Sequence, residues 1–65
     1  MIAGYTQDIM QDLREQGYCC AILGGAVSEA AWRTRFHSAA LRMGVRVATH
    51  KVKVPSGNYI LEARI

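Results

Sequence analysis

Four residues of this chain have side chains that could ligate a metal or act as nucleophile and base: Cys19, Cys20, His37 and His50. Zinc sites usually space paired ligands two to four residues apart, so that both turn inward. Here the cysteines are adjacent and the histidines lie thirteen residues apart. The spacing argues against a metal centre, and no other cofactor motif is present. A Cys–His pair could formally serve nucleophilic catalysis, which also needs a base nearby and a substrate groove. The apolar run from Cys19 to Leu23 predicts buried, inert thiols instead. Gly24-Gly25 stands just before a helix start, where backbone N–H groups can hold phosphate. The pair lacks the spacing of a P-loop or dinucleotide fingerprint, and Glu29 would repel an anion there. The glycines read as a turn, and the expectation is that the chain is not an enzyme.

The remaining chemistry is cationic. Residues 1–32 hold Arg14 against Asp8, Asp12, Glu15 and Glu29, a net charge of −3; residues 33–65 hold seven bases against Glu62, a net charge of +6. Such asymmetry points to a polyanionic partner. At 100° per residue, Ala31, Arg35, Ser38 and Arg42 fall on one stripe of a helix, small residues between two long cations. Arg33 and His37 flank it. Long donors beside small neighbours are what a helix needs to reach base edges or phosphates in a groove. Arg46, His50, Lys51, Lys53 and Arg64 follow on a hairpin. A basic two-stranded ribbon can track a phosphate backbone. Arg33, Arg35, Ser38, Arg42, Arg46, Lys51 and Lys53 are therefore the expected contacts to double-stranded DNA.

These side chains need elements to position them. Residues 6–16 read as an amphipathic helix with Thr6 as its cap, Tyr5, Ile9 and Leu13 on the apolar side with Met10, and Gly17 as its stop. Residues 18–23 are ambiguous between a buried strand and a helical turn. A longer helix runs from Ser28, its N-cap, to Met43, and Gly44 ends it. Trp32, Phe36, Ala39, Ala40 and Met43 form its core stripe. Val45 to Thr49 and Lys51 to Val54 alternate out of phase, which predicts a bulge or bend between Ala48 and His50. Pro55 to Asn58 reads as a turn. Pairing Val54 with Tyr59 across it sets Val52 opposite Leu61, Lys51 opposite Glu62 and Lys53 opposite Ile60. The fold class is α+β in a single small domain, residues 1–65. Two architectures fit: helices on one face of a three-stranded antiparallel sheet, or a winged-helix arrangement with residues 18–23 helical.

Trp32-Arg33, followed by Ala39-Ala40-Leu41-Arg42-Met43-Gly44-Val45-Arg46-Val47-Ala48-Thr49, resembles small actinobacterial and actinophage proteins. Those carry a Trp-Arg helix, an Ala-Arg-x-x-Gly-x-x-Val-x-Thr junction and a strand pair. The resemblance covers about half the chain and implies DNA binding; Leu41 departs from it, standing where the pattern has alanine.

Length bounds the rest. A chain of 65 residues buries only ~60% of the surface its unfolded form exposes, and a core of that size rarely supplies more than roughly 3–5 kcal/mol. That excludes a large substrate cleft and favours a binding module or regulator. Adjacent cysteines are too close for an unstrained disulfide, the opening residues lack a signal peptide's basic region, and no apolar run could span a membrane. The expected setting is cytoplasmic. The function expected is that of a small DNA-binding protein, such as a transcriptional or phage-type regulator. The alternative is a protein-binding inhibitor or adaptor of a host protein. Pairing of two copies through the first helix would double the basic surface.

Overall fold

The computed structural model describes residues 5–65, and of residues 5–7 the backbone alone. The elements run α1 (Tyr5–Gln16), β1 (Tyr18–Ile22), α2 (Glu29–Met43), β2 (Ala48–Lys53) and β3 (Tyr59–Arg64). The capping expected of Thr6 and the core position expected of Tyr5 lie outside the described side chains. The three strands form one antiparallel sheet in the order β1-β3-β2. Both helices lie on one face of it, so the sheet architecture is adopted and the winged-helix alternative is not.

Residues 18–22 are the deciding segment. Their side chains alternate, with Cys19 and Ala21 buried and Cys20 and Ile22 exposed. That is the period of a half-buried strand. Gly17 makes the sharp passage from α1 into β1. Its φ of +80° suits glycine, and its N–H donates to the Leu13 carbonyl at 3.0 Å.

The core sits between the helices and β1 and β3. Ile9 and Leu13 of α1, Phe36 and Ala39 of α2, Cys19 and Ala21 of β1, and Leu61 and Ala63 of β3 are buried together. Trp32, Met43, Met10 and Val47 pack against them, half-buried. Ile9 and Leu13, on the apolar stripe of α1, are thus covered within the chain. Phe36 lies at the centre as expected of it. Trp32 is only partly buried, and Val52, expected opposite Leu61, is 41% exposed.

Val52 is displaced because the hairpin register differs by one residue from the expected one. The pairs are Lys53↔Tyr59, Val52↔Ile60, Lys51↔Leu61 and His50↔Glu62. The Val54 N–H donates to the Asn58 carbonyl at 2.9 Å, and the Gly57 N–H donates to the Val54 carbonyl at 2.9 Å. Gly57 has a φ of +95°. A left-handed glycine after a tight turn closes a hairpin with three loop residues, one fewer than the four-residue turn Pro55–Asn58 assumes. A shift of one residue exchanges the two faces of a strand. Val52 goes to the face without helices, and Lys51 and Lys53 come to the helix side.

Nor does β2 contain the expected bulge. Its pairing with β3 is continuous from Ala48↔Arg64 to Lys53↔Tyr59. The change of phase is absorbed earlier, because residues 45–47 are not strand.

Candidate nucleic-acid interface

Most of the expected contact residues are carried by α2 and β2. The two ends of α2 are set by local chemistry. Ser28 caps the first turn, its Oγ accepting the Ala31 N–H at 3.2 Å. At the other end Gly44 adopts φ +73°. The Val45 N–H donates to the Ala40 carbonyl at 3.0 Å and the Gly44 N–H to the Leu41 carbonyl at 3.1 Å. This paired closure fixes the direction in which residues 45–47 leave the helix.

Arg33 and Lys51 are brought together by an acid. The Glu29 carboxylate bonds Arg33 Nη2 at 2.9 Å and Lys51 Nζ at 3.3 Å. Lys51 Nζ also lies 5.0 Å from the centre of the Tyr59 ring, a cation over an aromatic face. Both ion pairs are exposed enough that each is worth ~0–1 kcal/mol. Lys53 continues the same side of β2 and is exposed.

Arg35 lies on the opposite flank of α2. It is half-buried, with its guanidinium 5.2 Å from the Trp32 ring centre. Ser38 and Arg42 are exposed on the outer surface of α2, and Arg46 is exposed in the segment that leads to β2. The expected residues therefore divide. Arg33, Lys51 and Lys53 sit where the start of α2 meets the end of β2. Arg42 and Arg46 sit where the end of α2 turns toward the start of β2. Arg35 stands apart on the Trp32 side.

β2 itself has an unusual setting. The helices lie mainly over β1 and β3. Every residue of β2 is exposed apart from the half-buried Thr49. From Ala30 to Leu61 the sequence holds no acid, so α2 beyond Glu29, β2 and the segment between them carry positive charge alone, while β3 places Glu62 opposite His50.

Sequence reasoning treated Glu29 only as a helix-start residue. Its spacing of four from Arg33 was a legible signal. Its bridge to Lys51 spans twenty-two residues and had none. Arg64 was read as part of the basic hairpin; it bonds Glu62 Oε2 at 3.0 Å and lies 5.1 Å from the Tyr18 ring centre.

The cysteines differ from one another. Cys19 is buried and Cys20 exposed. Burial, followed by the charges of Asp12, Cys20 and Glu62, pushes the Cys19 thiol from 9.0 up to about 11. Across the sheet Cys20, Glu62 and His50 stand in one row of the face without helices. Among the described residues no three His, Cys, Asp or Glu side chains are grouped to hold a metal ion, and no helix is long and apolar enough to cross a membrane.

Comparison with known proteins finds no family model that matches the chain, and no similar curated protein or solved structure.

Proposed function

We propose that the chain binds the phosphate backbone of double-stranded DNA through β2 and the adjoining ends of α2, as a cytoplasmic, non-enzymatic regulator. The observation that carries this reading is the exposure of β2 on both faces while it presents Lys51 and Lys53 on one and His50 on the other. β2 is the edge strand of the three-stranded sheet, so its side chains could follow a phosphate backbone along that edge. Ala48 and Lys53 are the ends of β2, five residues and roughly 17 Å apart at about 3.3 Å per residue, with Arg46 beyond the Ala48 end, so the two groups of cations could reach separated phosphates. Arg42 would join Arg46, and Arg33 would join Lys51. Ser38 lies between Arg35 and Arg42 as a neutral donor. The absence of acid between Ala30 and Leu61 favours a polyanion along α2 and β2. The resemblance of the Trp32-Arg33 helix to presumed DNA-binding proteins points the same way.

The test is a titration of labelled duplex at several salt concentrations. Binding should weaken steeply with salt, because each neutralised phosphate releases a counterion. Arg42→Ala and Lys53→Ala should each reduce the magnitude of the log–log slope by ~1. Absence of binding at low salt, or a slope unchanged by both variants, overturns the reading.

A further inference from the structure

The junction of α2 with the segment leading to β2 encloses a groove of about 340 Å³, lined by His37, Ala40, Leu41, Val45, Arg46 and Val47. We propose that this groove is a docking site for an acidic peptide segment of a partner protein. It would seat one large apolar side chain and place a neighbouring carboxylate against Arg46 and His37.

Three observations favour that occupant. Ala40, Leu41, Val45 and Val47 make the lining largely apolar, which does not suit a phosphate chain. Leu41 is 80% exposed, at a position of α2 turned away from the core stripe, so its side chain has little role in the chain's own packing. Arg46 and His37, both exposed, supply the only ionisable groups of the lining, and the nearest residue in sequence that adds charge is Arg42. Charge complementarity therefore selects an acid.

The helix end beneath the groove does not oppose this. Carbonyls at a helix C-terminus repel anions with about half a unit charge; those of Ala40 and Leu41 accept the N–H groups of Val45 and Gly44, and the full charge of Arg46 outweighs the rest. The same bonds hold the walls in place, so the groove is preformed. Its size is at the lower end for ligand pockets, about 300–1,000 Å³, and it is open along one side. A free small molecule would keep much of its surface in water there. A peptide needs to insert only one side chain, with its backbone outside.

The proposal goes beyond the nucleic-acid reading and does not depend on it, since the probe carries no phosphate. Isotope-labelled protein is titrated with the blocked tripeptide glutamyl-leucyl-glutamate amide while backbone amide shifts are followed. Saturable shifts confined to residues 37–47, weakening as salt is added, are expected. Replacing the central leucine by alanine, or both acids by lysine, should abolish them. Arg46→Gln should weaken binding roughly tenfold, as expected for loss of one charge-assisted hydrogen bond. Leu41→Ser, at an exposed site, should weaken it while leaving the remaining spectrum unchanged. The proposal is overturned by shifts centred elsewhere, by equal binding of the lysine peptide, or by no shift with wild type. The duplex titration proceeds separately, so either reading can fail alone.

Discussion

Cys19 and Cys20 are neighbours of one type with opposite surroundings, because successive side chains of a strand point to opposite faces. Cys19 enters the core, and its thiol is held neutral up to about pH 11. At pH 8, iodoacetamide should therefore label Cys20 in the folded protein while leaving Cys19 to react only on unfolding. Mass spectrometry of the tryptic peptide over time checks this, and equal rates would place both thiols in water. The shift also has a pH consequence. The folded state disfavours the Cys19 thiolate, so the contribution is whole below 9.0 and is lost as pH rises through about 11. The stability advantage of wild type over Cys19→Ala should shrink across that interval in denaturant titrations. Core aromatics differ in the same residue-by-residue way. Phe36 is 1% exposed, so Phe36→Ala should cost roughly 3–5 kcal/mol, enough to unfold a domain of this size. Trp32 lies at the edge of the core, and Trp32→Ala should cost less. Circular dichroism melts that rank the two in reverse would show the helix rotated from its described orientation.

At the scale of elements, the hairpin turn controls what β2 presents. Gly57 keeps the three-residue loop by adopting φ +95°, and a Cβ placed there would meet nothing within 4 Å. The cost of Gly57→Ala is therefore that of the backbone alone, about 1–2 kcal/mol. Gly25 has similar free space without a positive φ, so Gly25→Ala should be neutral or slightly stabilising. Thermal melts of the two variants separate conformation from crowding; equal midpoints would remove the turn's role in setting register. That register decides which side chains β2 presents on each face. With the four-residue turn, Val52 would have faced the helices and both lysines the open side. With the three-residue turn, Lys51 reaches Glu29 and Tyr59, while Val52 joins Ile22 and Ile60 in an apolar row across the face without helices.

For the whole molecule, the charges separated along the sequence are partly recombined by folding. Glu29 belongs to the acidic half of the chain, yet it contacts a cation of α2 and one of β2. It should compete with phosphate for both. Glu29→Gln should tighten duplex binding and steepen its salt dependence, opposite in sign to Lys51→Ala, while stability changes little because exposed pairs contribute ~0–1 kcal/mol. Salt-dependent fluorescence anisotropy on the two variants tests this. A Glu29→Gln protein that binds no more tightly would mean that Arg33 and Lys51 are not at the interface. The helices leave β2 bare while covering β1 and β3, so the most basic strand is also the least buried.

What the sequence alone determined was local. Ser28 and Gly44 mark the ends of α2 through bonds within a few residues, and the spacing of Phe36, Ala39 and Ala40 marks its buried face. Pro55 and Gly57 mark a reversal between two alternating stretches. These features depend on neighbours in the chain, and each appears in the structure where its residues imply it. Tertiary structure decided the rest. Whether Tyr18–Ile22 is strand or helical turn depended on β3, the partner strand that follows only after α2 and β2. The faces of β2 depended on one residue of turn length, to which strand periodicity is blind because each register preserves the alternation and inverts its meaning. The meeting of Glu29 with Lys51 depended on how α2 lies across the sheet. Hydrophobic burial sets that placement for the molecule as a whole, and no short window of sequence contains it.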